Sequence, residues 1–328
     1  MNQYARISGW GSYVPSKVLT NTELEALVQT NDEWIRSRTG IVERRIAECD
    51  ETTSSMAVAA SLVALQEAGV AAADLDLVIC ATTTPDYQLP ATASLIQRTL
   101  GASKAGAFDL NSACTGFLTG LIVGTQFIQA GTYRKILVIG AETLSRFVDW
   151  SDRNTCILFG DGASAVVLEA STDRCGVTAC SMGSQGDTEG LLTIPAGGSA
   201  IPASDDTIEE KMHFIRMSGN ELFKIAVRRM QQATEECLAK ANLSVDDISM
   251  VIPHQANIRI IDSLQSALGV PREKVFMNIA SFGNTGAASV PLALDEYIRQ
   301  GTVRAGDKLL LVSFGGGISW AAAIVEWR

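Results

Sequence analysis

The 328-residue chain is 47% hydrophobic and 19% charged, with 26 Lys and Arg against 36 Asp and Glu and a formal charge of -10. That is too apolar for a disordered chain and long enough for one large core or two ordinary domains. A pI near 4.8 argues against a general nucleic-acid binder, whose affinity rests on clustered Lys and Arg, so any anionic partner must meet a local basic patch.

The opening stretch Met1-Asn2-Gln3-Tyr4-Ala5-Arg6 lacks the basic start and apolar core of a signal peptide. The most apolar helix candidate, Phe117 to Ala130, is interrupted by Gly120, Gly124 and Gln126, which speaks against a membrane span. Cys49, Cys80, Cys114, Cys156, Cys175, Cys180 and Cys237 are odd in number, scattered and free of any Cys-x-x-Cys pair. A disulfide framework and a zinc site are both disfavoured, and the expectation is a soluble, reduced, cytoplasmic protein with no metal.

In chain order, Asn21 is placed to cap a helix holding Leu24 and Leu27. A helical pattern from Ser55 to Gly69 then leads into an apolar strand, Leu77 to Cys80. From Phe108 the chain runs through Thr115-Gly116 into a helix closing at Gly131, and re-enters a strand at Lys135. Phe159-Gly160-Asp161-Gly162-Ala163-Ser164 opens a further strand ending at Glu169. The same sequence of features then recurs. A helix from Asn220 to Ala241 leads into Met250-Val251-Ile252-Pro253-His254; Phe276 runs through Thr285-Gly286 into a helix closing at Gly301; a strand begins at Lys308; and Phe314-Gly315-Gly316-Gly317-Ile318-Ser319 opens a strand ending at Glu326. The offset is 170 residues both between Cys114 and Asn284 and between Gly131 and Gly301. Gly69, Gly131, Gly269 and Gly301 stand where a left-handed residue ends a helix. These echoes predict a duplicated α/β chain, with halves 1–174 and 175–328 and parallel strands covered by helices on both faces.

The duplication brings chemistry together. Cys114, between an apolar strand and a glycine-punctuated helix, is the candidate nucleophile, and a helix N-terminus favours its thiolate. Asn284 occupies the same place in the second half, although alone it would read as a turn or cap residue. Only two histidines exist. His254 ends a strand, where open α/β sheets place ligands, while His213 lies in a charged stretch and reads as solvated. The Gly315 to Gly317 loop offers unobstructed backbone N–H groups that, with the Cys114 amide, can form an oxyanion hole. No glycine-rich dinucleotide or phosphate loop is present.

With Cys114, His254-Gln255-Ala256-Asn257, Asn284-Thr285-Gly286-Ala287-Ala288-Ser289 and the glycine loop in this order, the chain resembles the β-ketoacyl-acyl-carrier-protein synthase III family of the thiolase-like superfamily. Asp32-Glu33-Trp34-Ile35, Arg38-Thr39-Gly40-Ile41 and Arg44-Arg45-Ile46-Ala47 extend the resemblance along the whole chain. It implies a five-layered αβαβα fold, a homodimer, and condensation of an acyl-coenzyme A primer with malonyl-acyl carrier protein, without a cofactor. It makes Cys114 the acylated nucleophile, His254 and Asn284 the pair on the malonyl thioester carbonyl, and the Cys114 and Gly316 amides the oxyanion hole. Trp34, Arg38 and Arg153 would hold coenzyme A, with Phe223, Ala256 and Asn257 lining its tunnel. Leu89 falls where a partner subunit's residue, often phenylalanine, closes the acyl pocket; a leucine there suggests longer or branched primers. Ser218 stands where an arginine is common and removes one tunnel-side charge.

Lys224, Arg228 and Arg229 lie at helical spacing and Arg259 follows the His254 motif, so these cations are expected to dock the acidic carrier protein. A Cys-His-Asn hydrolase shares the residue order but leaves the duplication unexplained. A polyketide starter synthase or related acyltransferase is the closer alternative, and a non-catalytic carrier-binding scaffold is expected to have lost the nucleophile.

Overall fold

The computed structural model describes residues 3–187 and 189–328. Its strands are β1 (Tyr4–Tyr13), β2 (Val18–Thr20), β3 (Glu43–Arg45), β4 (Leu77–Ala81), β5 (Gly106–Leu110), β6 (Lys135–Thr143), β7 (Asp161–Ser171), β8 (Gly176–Ser184), β9 (Leu192–Thr193), β10 (Arg216–Met217), β11 (Met250–Pro253), β12 (Lys308–Gly315) and β13 (Ser319–Glu326). Nine of them pair in the order β11-β12-β13-β8-β1-β7-β6-β4-β5, while β2 with β3 and β9 with β10 form short ribbons.

Strands β4, β5 and β6 are parallel, as are β11 and β12. However, β7 runs antiparallel to β6 and β1, and β13 antiparallel to β12 and β8. The expectation of parallel strands throughout is therefore corrected to mixed sheets. A parallel return needs a crossover of a dozen residues or more, whereas β12 turns back directly into β13 beyond the Gly315–Ser319 pair. Between β6 and β7, the helical turns Leu144–Phe147 and Arg153–Cys156 pack with Ile35 and Ile41 in a separate cluster.

The layering follows from side-chain alternation along each strand. In β4 and β6, Leu77, Ile79, Ile136 and Val138 face an inner core, where they meet Phe117, Leu118 and Leu121 of helix Gly116–Gln129. Leu309 and Leu311 of β12, and Ala321 and Ala323 of β13, close the same core from the other side, beside Val290, Ala293 and Leu294 of helix Ser289–Arg299. The alternate residues face outward. Val78, Cys80, Leu137 and Ile139 pack on helices Thr53–Ala68 and Thr92–Leu100, whereas Leu310, Val312, Ala322 and Ile324 pack on helices Gly219–Ala241 and Ile258–Leu268. The result is αβαβα, with the two helices that follow Cys114 and Asn284 in the central layer. Leu118 and Leu121 are each at most 1% exposed, and each such burial contributes roughly 1.5–3 kcal/mol.

The two halves of the sheet join at one pair, Ala5 with Gly176. Gly176 has φ +68°, and a Cβ there would fall 1.7 Å from the Ala5 carbonyl oxygen, so glycine alone fits. Gly69, Gly131, Gly269 and Gly301 all have positive φ at helix ends, as anticipated. Asn21 does not act as the expected cap. Thr20 caps the short helix Asn21–Leu24, and buried Asn21 instead donates to Asp32 and to the Ile41 carbonyl; Leu27 lies beyond the helix, exposed. In the second half, the counterpart of β5 shrinks to a single bridge between Val251 and Val275.

Candidate active site

Cys114 sits on the 3-10 turn Ala113–Thr115 between β5 and helix Gly116–Gln129. Ala113 has φ +47°, a left-handed conformation costing about 1–2 kcal/mol in a non-glycine residue, held here by the end of β12. Ser313 donates to the Cys114 carbonyl at 2.8 Å, and a Cβ on Gly315 would lie 2.7 Å from the Cys114 nitrogen. Gly316 follows. Its carbonyl accepts the Ser319 hydroxyl at 3.1 Å, and its N–H has no protein acceptor among the described residues. The backbone thus leaves the Gly316 amide available on the cavity that Cys114 lines.

In the second half, Asn284 is held by its backbone, donating to the Leu158 carbonyl at 2.9 Å and accepting from the Gly160 amide at 3.0 Å. Its Oδ1 accepts from the Gly286 amide at 2.9 Å, which leaves the amide NH2 as the free donor end. His254 follows β11, where its amide donates to the Val312 carbonyl at 2.8 Å and its Nδ1 meets the Ser289 hydroxyl at 2.5 Å. Burial pushes its pKa down to about 4, so the ring is neutral at pH 7.

Cys114 departs from the expected electrostatics. Burial, and then the Glu142 carboxylate, push its pKa up to about 12. The helix terminus is worth at most ~2 kcal/mol and is outweighed, so the resting side chain is a thiol rather than a thiolate paired with imidazolium. Glu142 was not singled out from the sequence. It is fully buried at the end of β6, accepts from Thr83 and Thr84, and carries a pKa raised to about 7 by burial against those hydrogen bonds. A lone carboxylate ending the apolar run Lys135–Thr143, with Thr82-Thr83-Thr84 elsewhere in the half, was the available signal.

Two cavities meet at Cys114. One, of about 130 Å³, is lined by Cys114, His254 and Asn284 together with Phe223, Ala256 and Asn257. The other, of about 780 Å³, reaches from Cys114 to Glu142, Phe147, Ile215 and the Gly316-Gly317 turn. Phe159 and Leu192, like Cys114, line both. His213, expected in solvent, is half-buried in the lining of the larger cavity, with Nε2 3.1 Å from the Thr207 hydroxyl. Leu89 is 87% exposed and lies outside both cavities of its own chain. Ser218 is exposed, while its neighbours Met217 and Gly219 line the smaller cavity.

Trp34 is half-buried against the cluster around Ile35, with the Arg38 and Arg153 guanidinium carbons 4.7 and 4.6 Å from its ring centre. The residues expected to hold an adenine are therefore together, stacked on one another. Lys224, Arg228 and Arg259 are exposed and form no ion pair among the described residues. Arg229 does not join them. It lies 4.5 Å from the Trp320 ring and hydrogen-bonds Gln185 and Gln232, so its charge is engaged along the protein surface. Among the described residues, no group of three or more His, Cys, Asp or Glu is placed to hold a metal ion. No helix there is long and apolar enough to cross a membrane.

Comparison with known proteins places this geometry. The family model "3-Oxoacyl-[acyl-carrier-protein (ACP)] synthase III" matches residues 108–186, and its C-terminal counterpart matches residues 238–327. The chain is 49% identical over 327 residues to a β-ketoacyl-[acyl-carrier-protein] synthase III of Roseiflexus sp., covering 100% of this chain and 99% of that one. It resembles the crystal structure of 3-oxoacyl-[acyl-carrier-protein] synthase III from Aquifex aeolicus with a TM-score of 0.91 and 47% identity, over 98% of this chain and 100% of that one. A priming β-ketosynthase of a polyketide biosynthetic pathway is similar at 38% identity and a TM-score of 0.92, over 100% and 97% of the two chains. Full-length identity near one half, on a five-layered fold, shows that this chain belongs to the β-ketoacyl-[acyl-carrier-protein] synthase III family of acyltransferase-type condensing enzymes.

Proposed function

We propose that the chain condenses an acyl-coenzyme A primer with malonyl-acyl carrier protein, giving 3-ketoacyl-acyl carrier protein, coenzyme A and CO2, as the initiating step of type II fatty-acid synthesis. The observation that supports this best is the meeting of Cys114, His254 and Asn284 on one largely apolar cavity. Cys114 attacks the primer thioester; its proton ends on the coenzyme A sulfur, and the acyl group remains on Cys114. The Cys114 and Gly316 amides stabilise the tetrahedral oxyanion. Malonyl thioester then loses CO2, and the electron pair of the broken C–C bond places negative charge on the thioester oxygen. Neutral donors from His254 and Asn284 aimed at that oxygen lower this barrier, and the resulting carbanion attacks the acyl-Cys114 carbonyl; the C–S bond to Cys114 then breaks, releasing 3-ketoacyl-acyl carrier protein, and the Cys114 sulfur leaves as thiolate and takes up one proton. The attacking pairs come from the Cys114 sulfur and from the malonyl C–C bond, and no atom is left needing an outside electron donor or acceptor, so the proposed chemistry calls for no redox cofactor.

Trp34, Arg38 and Arg153 bind the nucleotide end of coenzyme A, and Phe223, Ala256 and Asn257 line its path. Lys224, Arg228 and Arg259 dock the carrier protein. The two halves are read as 1–174 and 175–328, and the protein as a cytoplasmic homodimer. Exposed Tyr87 and Leu89, and the unpaired edge of β5, favour a second copy there; Leu89 would then close the partner's acyl pocket. The test is intact-mass detection of acylated Cys114 with His254→Ala and Asn284→Ala. Both are expected to retain acylation and lose malonyl decarboxylation; a variant that decarboxylates without acylating overturns the assignment. Condensation rates across primers separate the fatty-acid from the polyketide starter reading, and strict acetyl preference refutes the wide pocket.

A further inference from the structure

We infer that Ser289 is a positioning residue that donates its hydroxyl proton to Nδ1 of His254 and thereby holds the ring proton on Nε2, the nitrogen left to meet substrate. This inference rests on the reading of His254 as a neutral donor, and it adds the residue that makes it one.

Ser289 is the first residue of the helix Ser289–Arg299 and is 2% exposed; His254 is 3% exposed. Their side chains meet at 2.5 Å, and no other side-chain hydrogen bond of either is present among the described residues. The direction of the bond follows from the protons. If Nδ1 carried the ring proton, Ser289 would accept it, and the buried hydroxyl proton would be left without an acceptor. If Ser289 donates, every proton at the contact is used and Nε2 must carry the hydrogen of the neutral ring.

The duplication supplies an internal control. Offset by 170 residues, Ser289 corresponds to Thr119, five residues beyond Cys114. Thr119 donates to the Thr115 carbonyl at 3.0 Å, the common local bond of a hydroxyl in a helix. Ser289 makes no such bond to Thr285 and turns to His254 instead. Nε2 has no protein partner among the described residues, and His254 lines the cavity with Asn284, whose Oδ1 is likewise fixed by a local N–H. Two side chains are thus each pinned through their acceptor atom, which leaves both donor ends for one substrate oxygen.

The tautomer can be read directly by 15N NMR, because the chain has only two histidines and His213→Gln assigns the resonances. Wild-type His254 is expected to carry its proton on Nε2, and Ser289→Ala to shift population to Nδ1–H. Malonyl-thioester decarboxylation should then fall, by up to about a hundredfold to a thousandfold, the loss expected for one oxyanion donor, while acylation of Cys114 stays within about twofold. Ser289→Thr, which keeps the hydroxyl, should restore both tautomer and rate. An Nδ1–H tautomer in the wild type overturns the inference, a result that stands even if Ser289→Ala fails to fold. So does a Ser289→Ala protein with unchanged tautomer and unchanged decarboxylation. The tautomer is measured without substrate, so a protein that holds Nε2–H yet condenses nothing refutes the proposed function and not this inference.

Discussion

Gly315→Ala probes the closest backbone contact at the nucleophile. The added Cβ would lie 2.7 Å from the Cys114 nitrogen, 3.2 Å from the Ala113 Cβ and 3.3 Å from the Cys114 Cα. Favourable carbon contacts begin near about 3.5 Å, so the two backbones must part by roughly 0.7–0.8 Å. Overpacking of this kind costs about 1–3 kcal/mol, and at about 2.1 cal/mol/K per residue the melting temperature of this chain falls by roughly 1.5–4 °C. The catalytic cost is larger than the stability cost. The shift moves the Cys114 amide and sulfur together, and misplacement approaching 1 Å costs about a hundredfold. Gly301→Ala is the control, with φ +70° and nothing within 4 Å of its new Cβ. Its left-handed strain costs about 1–2 kcal/mol, far from the cavities. Thermal unfolding and quenched-flow mass detection of acyl-Cys114 should therefore show similar stability losses in both variants, and slow acylation only in Gly315→Ala. Equal acylation rates in the two would refute the claim that this contact sets the nucleophile's position.

Glu142→Gln removes a charge that raises the Cys114 pKa, so alkylation of the resting enzyme by iodoacetamide should shift to lower pH. Because the folded Glu142 value of about 7 exceeds its ordinary 4.5, wild-type stability from this group falls as pH rises through that window, and the variant should lose that slope; an unchanged profile counts against a charged Glu142 beside Cys114. For Trp34, a ring inserted between it and Arg153 needs about 7 Å, two contacts of about 3.5 Å, against the 4.6 Å found. In the proposed binding mode coenzyme A opens the stack, and Trp34→Ala should raise the KM for acyl-coenzyme A about fivefold or more at 1–3 kcal/mol per stacked base, with no change if Trp34 serves packing alone. Reversing the charges of Lys224 and Arg259 should raise the KM for malonyl-acyl carrier protein in a salt-dependent manner; an unchanged KM refutes the docking patch.

Much of this site was legible because duplication leaves a record in the sequence. Cys114-Thr115-Gly116 and Asn284-Thr285-Gly286 begin equivalent central helices at the same offset, and Gly131 and Gly301 close equivalent turns. Strand direction was not legible. A strand buried on both faces is apolar throughout whether its neighbour is parallel or antiparallel, so β7 and β13 carried no directional mark. Arg229 was misplaced for a related reason: helical spacing gives the angle between side chains but not which one finds a partner, and Trp320 lies 91 positions away in the sequence.

Glu142 and Ser289 show what kind of information was missing. Both stood in the quoted or adjoining sequence, yet each acts through a partner distant in the chain, Cys114 in one case and His254 in the other. Glu142 also distinguishes the two helix starts that the repeat makes equivalent. After Asn284, the Glu142 carboxylate lies by the turn: a Cβ on Gly286 would lie 3.2 Å from its Oε1, and the Ala287 amide reaches that oxygen at 3.5 Å. At Cys114 the opposing strand instead ends in Gly315, with Gly316 just beyond it, and neither presents a side chain. Bare backbone amides thus face the Cys114 side, whereas in the turn after Asn284 an amide is taken up by the Glu142 carboxylate. In the proposed reaction the two helix starts would therefore offer different donors, backbone amides at Cys114 and the neutral side chains of His254 and Asn284 on the other side.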